Sequence, residues 1–329
     1  MQIGSWTLSD PVFVAPMAGV TDRPFRRLCK ELGAAYAVSE MAASNPQLWQ
    51  SVKTARRLNH DGESEPVAVQ ITGADPYMLA EAAVFNIGKG AQIIDINMGC
   101  PAKKVCKTAS GSALLRDEKL VAQILHTVVT ACEPYGIPVT LKTRTGWDRH
   151  SKNALTIAQM AYDLGIAALT LHGRTRCDFY TGQAEYETIA EVKSRVKIPL
   201  IANGDIDSPQ KARFVLDYTK ADAVMIGRAA QGNPWIFQQI NHYLRTHEEL
   251  PRPNLAQMQA VLLKHLDEHY EFYGDYTGVR TARKHLAWYL QDLPNTADLR
   301  HRLNQATCPQ QQKQLLQDWF AQQLDAAAV

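Results

Sequence analysis

The sequence predicts an α/β protein, a closed (β/α)8 TIM barrel followed by a small C-terminal all-helical bundle. Three observations carry this expectation. Short apolar, β-branched segments recur eight times between residues 12 and 228, separated by stretches of helical periodicity. Each begins apolar and runs into polar or glycine residues at its C-terminal end. Beyond about residue 240 the strand-like segments stop and only helical patterns follow.

In order, the segments are VFVAPM (12–17), AYAVSE (35–40), VAVQITG (67–73), IIDINMG (93–99), VTLKTRTG (139–146), ALTLHGRT (168–175), PLIANGD (199–205) and AVMIGR (223–228). Strands apolar on both faces, alternating with helices, imply a parallel sheet covered on its outer side. The intervening stretches carry helix signals: Asp207 or Ser208 can cap, Pro209 fits a first turn, and KARFVLDY continues an apolar face. A doubly wound open sheet competes, but it would favour a Gly-x-Gly-x-x-Gly turn after an early strand, and the sequence has none. Residues 1–244 are therefore expected to form the barrel. The polar, proline-containing stretch at 245–254 reads as a linker, and 255–329 as the helical domain.

Composition narrows the function classes. With 329 residues, 46% hydrophobic and 21% charged, the chain is that of an ordinary globular protein. A net charge of +2 gives no strong overall field, so binding to a polyanion must come from local basic patches. Six cysteines without a C-x-x-C pair suggest neither a disulfide framework nor a zinc site. Residues 1–15 lack a signal-peptide pattern and no apolar run reaches membrane length, so a cytoplasmic protein with reduced thiols and no membrane association is expected.

In such barrels the active site lies at the C-terminal ends of the strands. Met17, Glu40, Gln70, Asn97, Cys100, Lys142, Arg144, His172, Arg174, Asn203, Asp205 and Arg228 should then converge on one mouth. Strand ends placed there only for solubility need no such mixture of amide, amine, imidazole and guanidinium groups. Asn203, Gly204 and Asp205, with Gly227 and Arg228, follow the seventh and eighth segments, where barrels often bind a phosphate. This points to a phosphate rather than to one cofactor. Lys142, on a strand, needs an anionic partner if it faces inward, and the N1–C2 carbonyl edge of a reduced flavin would be one. Gln70 offers both a donor and an acceptor to such a ring. His172 is a lone strand-end histidine suited to a phosphate or substrate contact, and no metal-ligand set stands out.

Basic residues fall into three local groups. Arg23, Arg26 and Lys30 follow the first strand, Lys103, Lys104 and Lys107 flank Cys100, and Arg280, Arg283 and Lys284 share a helical spacing near the C-terminus. Such faces can be merely solvated, or they can meet RNA.

The motifs APMAGVTDRPFR (15–26), SEM (39–41), QITG (70–73), DINMGCPAKKV (95–105), LKTRTGW (141–147), LHGRTR (171–176), IANGDI (201–206) and MIGRAAQGNPW (225–235) resemble those of the tRNA-dihydrouridine synthases, most like the bacterial B type. The similarity continues through GVRTARKHLAWYL (278–290) and loosens beyond about 300. It implies an FMN-containing barrel with a helical tRNA-binding domain, reducing a uridine of the tRNA D-loop at its C5=C6 bond with NADPH or NADH as electron donor. By position, Pro16, Met17 and Ala18 would line the flavin, with Gln70 and Lys142 on its ring. Asn203, Gly204, Asp205, Gly227 and Arg228 would hold the ribityl phosphate, helped by His172. Asn97 would sit near the substrate base, Cys100 would give the proton, and Arg144, Arg174, Arg280, Arg283 and Lys284 would face substrate or RNA.

Two other readings share parts of this pattern. A flavin barrel acting on a free pyrimidine, as a dihydroorotate dehydrogenase does, would not need the basic helical appendage. A non-catalytic tRNA-folding factor would not need Cys100, Lys142 and Gln70 together. A monomer without metal is expected.

Overall fold

A computed structural model describes residues 1–49 and 51–327; the last two residues of the expected helical domain, 328–329, lie outside the described residues. The chain opens with a hairpin of β1 (Gln2–Ile3) and β2 (Trp6–Thr7). Then follow β3 (Val12–Val14), α1 (Arg23–Glu31), β4 (Tyr36–Ala37), β5 (Ala42–Ala43), α2 (Val52–Arg57), β6 (Ala68–Thr72), α3 (Pro76–Ile87) and β7 (Ile93–Met98). Next are α4 (Lys103–Cys106), α5 (Glu118–Cys132), β8 (Val139–Arg144), α6 (Ala154–Asp163), β9 (Ala168–His172) and α7 (Glu187–Arg195). The barrel part ends with β10 (Leu200–Asn203), α8 (Pro209–Thr219), β11 (Ala223–Ile226) and α9 (Ile236–Thr246). Four helices complete the chain: α10 (Leu255–Tyr273), α11 (Asp275–Tyr289), α12 (Ala297–Gln305) and α13 (Pro309–Ala327).

All nine strands from β3 to β11 belong to one parallel sheet in the order β4-β3-β11-β10-β9-β8-β7-β6-β5. Its two end strands, β4 and β5, are consecutive in the chain, so the sheet curls until it nearly meets itself. Of the predicted second segment, 35–40, only Tyr36–Ala37 is strand, and a further short strand, β5, follows beyond it at Ala42–Ala43. Between them Val38 bridges to Ala68, the Ser39 amide donates to the Ala68 carbonyl (3.0 Å), and the Ser39 hydroxyl accepts from the Gln70 amide (3.1 Å). A side chain takes over one rung of the ladder, and the strand breaks there.

Alternation along each strand sorts side chains between the outer helices and the barrel interior. The inward series on β7 is Ile93, Asp95, Asn97; on β8 it is Thr140, Lys142, Arg144; on β9 it is Ala168, Thr170, His172. Each climbs from small or apolar at the N-terminal end to polar at the C-terminal end. At the bottom, Ile3 and Leu8 of the hairpin region pack with Phe13, Tyr36, Ile93 and Ile201 and plug the barrel. The outward set, including Val12, Val14, Ile94, Ile96, Leu169 and Leu171, packs under the helices. Helix caps follow the residues that favour them: Ser208 accepts from the Lys211 amide (3.2 Å) with Pro209 in the first turn of α8.

A second apolar core forms among α10, α11, α12 and α13, built on Leu262, Leu266, Leu286, Leu303, Leu316 and Phe320 and joined by Trp235 from just before α9. This bundle leans on the barrel at α1. Tyr273 donates to the Asp22 carboxylate (3.0 Å), Arg56 donates to the Tyr273 carbonyl (3.1 Å), and Lys284 bonds the Gly19 carbonyl. No described helix is long and apolar enough to cross a membrane.

Candidate active site

The C-terminal ends of the strands surround a cavity of about 820 Å³, within the size range of small-molecule and cofactor sites. Of the twelve strand-end residues expected at the mouth, all but Glu40 and Arg174 line it. Pro16, Ala18, Gly204 and Gly227 line it too. Glu40 is instead buried against Arg57 (3.4 Å).

The loop after β7 is held from below by a chain of hydrogen bonds. Thr140 donates to one Asp95 oxygen (2.6 Å) and the Gln70 amide to the other (2.7 Å). Asn97 donates to Gln70 Oε1 (2.7 Å), and its own oxygen accepts from the amides of Gly99 (3.2 Å) and Cys100 (3.0 Å). Arg144 closes the loop from the other side: its Nε donates to the Gly99 carbonyl (2.8 Å), its Nη1 to the carbonyls of Thr175 and Phe179 (2.9 Å each). Gly111 passes beneath with φ 61°, where a Cβ would come within 2.8 Å of the Cys100 carbonyl. The thiol is thereby fixed at the cavity wall, and burial pushes its pKa up, so it stays protonated at neutral pH.

On the neighbouring strand β8, beside Asn97, Lys142 donates to Asn203 Oδ1 (2.8 Å), whose amide donates to the Met225 carbonyl (2.8 Å). Burial, then the nearby Arg144 charge, lowers the Lys142 pKa to about 8, with Asp95 acting against them. An ammonium offers three donors, and the hydrogen bond to neutral Asn203 leaves this cation able to meet an anion in the cavity. His172 is buried beside it; burial and the Lys142, Arg144, Arg174 and Arg228 charges hold its pKa well below the usual histidine range. The ring is therefore neutral and can take one hydrogen bond and give one.

Asp205 organises the basic side of the rim. Its carboxylate accepts from Arg174 Nη1 (2.8 Å) and Nη2 (2.6 Å), Arg228 Nη2 (2.9 Å) and the Ala184 amide (2.8 Å). These partners hold its pKa below the usual carboxylate range despite its partial burial. Arg174 is 3% exposed and lies behind this carboxylate rather than on the cavity wall. It acts as a strut. Arg228 is half-exposed, with its guanidinium 4.9 Å from the Tyr180 ring centroid. Gly204, at φ 123°, leaves open the space a Cβ would take, 2.8 Å from both the His172 ring and the Ala184 side chain. A glycine cradle beside Arg228, a neutral histidine and an inward ammonium make a donor set suited to a phosphorylated, partly anionic ring system.

Sequence reasoning did not single out Asp95 and Tyr180. Asp95, an acid in the middle of the apolar run IIDINM, was the available signal for the first. Tyr180 lines the cavity near both Arg144 and Arg228, from a loop whose only mark is its aromatic pair Phe179–Tyr180.

The basic groups separate in space. Arg26 is 1% exposed and paired with Glu63, and Lys30 bonds the carbonyls of Ser64 and Pro66. The first group is therefore consumed inside the fold rather than displayed. Arg23 lies over the Phe272 ring (4.9 Å). Lys103, Lys104 and Lys107 are exposed beside Cys100. On α11, Arg280 is exposed, Arg283 points to the Ala306 carbonyl (3.5 Å), and Lys284 is engaged with Gly19. The expected shared face is not one surface.

Comparisons with known proteins agree on the kind of molecule. The sequence model of the family described as dihydrouridine synthase matches residues 13–325. A protein of Pseudomonas aeruginosa called tRNA-dihydrouridine synthase B is 58% identical over 322 residues, covering 98% of this chain and 96% of that protein. One of the same name from Vibrio vulnificus is 53% identical over 320 residues, covering 97% of this chain and 98% of that protein. Among solved structures, an old yellow enzyme homologue from Zymomonas mobilis aligns at a TM-score of 0.53 and 15% identity, covering 78% of this chain and 94% of that one. That last likeness is one of fold alone.

Proposed function

The chain belongs to the dihydrouridine synthase family, and we propose that its barrel mouth holds FMN and reduces a D-loop uridine of tRNA to 5,6-dihydrouridine, with Cys100 as the proton donor. The observation that carries this reading is the fixed, protonated thiol facing a cavity with an ammonium and a glycine-and-arginine cradle on its other walls.

Lys142 and Gln70 would meet the flavin ring, between Pro16, Met17 and Ala18 on one side and the cavity on the other. Gly204, Gly227, Arg228 and His172 would hold its phosphate, with Asn203 keeping Lys142 in place and Asp205 keeping Arg228 in place. The chemistry FMN would supply when bound there and reduced by NADPH is a hydride for C6 of the uracil. Cys100 gives its proton to C5 from the other face, so the C5=C6 bond gains two hydrogens and the thiol is left as a thiolate that solvent reprotonates. A thiol whose pKa is raised holds its proton until the carbon becomes basic. Asn97 sets the Cys100 amide and so the direction of the side chain. The target base must leave its stack to arrive there.

Of the three basic groups, the lysines of the Cys100 loop and Arg280 of α11, which lies over the Tyr276 ring (3.6 Å), are exposed and would follow the RNA backbone. We take α10 to α13 as the tRNA-binding domain after a linker at 245–254, and the protein as a cytoplasmic monomer. The test is direct. Purified protein should show a flavin absorption spectrum and, with NADPH, should form dihydrouridine in tRNA from cells lacking the modification. A colourless protein that forms none after loading with FMN would overturn the proposal.

A further inference from the structure

Where the bundle meets the barrel, three histidines that nothing in the mouth requires come together. His265 and His269 lie one turn apart on α10, and His285 faces them from α11. One potential ligand atom from each lies within 4.8 Å of the others, and the three rings are at most 2% exposed. Ring centroids are 4.9 Å apart for His265–His285 and 5.4 Å for His269–His285. The sequence showed no metal motif because the set is split between two helices; the fold assembles it.

Their ring nitrogens divide into two kinds. His265 Nδ1 is paired with the Tyr289 hydroxyl (3.3 Å) and His269 Nε2 with Thr281 Oγ1 (2.8 Å). His265 Nε2, His269 Nδ1 and both nitrogens of His285 are buried without a partner. One nitrogen anchored by an outer group and the other left open is the arrangement of metal-ligating histidines. Asp22, the N-cap of α1, brings a carboxylate oxygen to 3.7 Å from His269 Nδ1. In a tetrahedral zinc site with bonds of about 2.0–2.1 Å, ligand atoms stand roughly 3.3 Å apart, so small ring rotations suffice to bring the three histidine nitrogens onto one ion. Burial lowers the pKa of His265 to about 4 and of His269 to about 3, which keeps their lone pairs free at neutral pH. The nearby Lys284 ammonium is turned to the Gly19 carbonyl.

We propose that His265, His269 and His285 form a structural site for a divalent transition-metal ion of the zinc class, which ties α10 to α11 with the Asp22 carboxylate beside it at the start of α1. Three imidazoles suit zinc, with a fourth position left for water, and cobalt can report on it.

The experiment uses the intact protein. Metal content is measured as purified, then after stripping with a chelator and titrating with Zn2+ or Co2+, for wild type, His285→Gln and His269→Gln. The expected result is one ion per chain, intense tetrahedral Co2+ ligand-field bands, and more than about 100-fold weaker binding in either variant. Chelation should lower the thermal midpoint of wild type and leave that of the variants unchanged. Absence of saturable Zn2+ or Co2+ uptake by wild type would overturn the proposal. So would uptake that both variants retain, or a wild-type midpoint indifferent to chelation. The wild-type titration stands even where a variant does not fold.

Discussion

The barrel mouth and the junction between α1 and the bundle both bury polar side chains, and they treat them in opposite ways. At the mouth the groups are joined in series, Thr140 to Asp95 to Gln70 to Asn97 to the Cys100 amide, each donor meeting an acceptor at 2.6–3.0 Å. At the junction four imidazole nitrogens of His265, His269 and His285 face one another with no partner. A buried polar group left unpaired costs about 1–3 kcal/mol. The network under the Cys100 loop is complete within the protein before any ligand arrives. The junction is completed only by something added. Preorganisation serves a reaction, whereas an open donor set serves binding.

The comparison is broken most severely by removing what the mouth network aims. Cys100→Ala is expected to lower dihydrouridine formation by about 100- to 10,000-fold while flavin stays bound, as read by nucleoside mass spectrometry and the flavin spectrum. Near-normal product would take Cys100 out of the reaction.

Lys142→Met comes next. It should lower the rate of flavin reduction by about 100- to 1,000-fold, weaken flavin retention and lower the reduction potential, measured on fully loaded protein. In wild type, FMN uptake by the stripped protein should weaken as pH rises through about 8, where the ammonium loses its proton.

Acid should separate the two regions. In metal-stripped protein, His265 and His269 have folded pKa values of about 4 and about 3, below the unfolded value near 6.5. The unfolded chain binds more protons there, so stability falls as pH drops from 6.5. Asp22, raised to about 6 mainly by burial, works the other way between 6 and 3.8 and cancels one proton. His285, with its pKa also lowered, adds to the loss. At least one net proton remains, or on the order of 3 kcal/mol between pH 6.5 and 4, measured by urea unfolding. A flat profile would show that the histidines are not buried neutral.

Asn97→Ala cuts the mouth network at its last link and strands the Gly99 and Cys100 amides and Gln70 Oε1. It should cost about 1–3 kcal/mol of stability and slow product formation without changing flavin content. Rescue by Asn97→Asp, which keeps the acceptor for the two amides, would separate positioning of Cys100 from the link to Gln70.

The smallest expected effect distinguishes two cations of one helix. Arg280→Gln should make the salt dependence of tRNA affinity shallower by about 0.7 to 0.9 in slope, with no change in thermal midpoint. Lys284→Gln should leave the slope unchanged and lower the midpoint, since it removes the bond to Gly19.

Much of this was legible in the sequence, and the parts that were not share a cause. Eight apolar segments ending in polar residues gave the barrel, because alternation and burial are local properties of a strand. That the second strand stops at Ala37 and a further strand, β5, follows it was not visible, because the break depends on Ser39 meeting Gln70, a residue 31 positions away. Cys100, Lys142 and Gly204 could be chosen from residue type and strand position. That Arg174 braces Asp205 instead of facing RNA, and that Arg26 is spent on Glu63, follow from partners distant in the chain. The histidine set is the same case: spacing places His265 above His269, but only the packing of α10 on α11 brings in His285.

The short seam between β4 and β5 also bears on motion. Elsewhere the sheet is held by as many as five paired residues, as between β7 and β8, whereas β3–β4 and β5–β6 have two each. A nearly closed sheet has little free edge to fray, so breathing concentrates where the rungs are fewest. The Ser39 hydroxyl stands at that place and holds the Gln70 amide, and Gln70 leads through Asn97 to Cys100. The slackest stave of the barrel is therefore geared to the Cys100 loop, and amide exchange at Ser39 and Gln70 is where that gearing becomes visible.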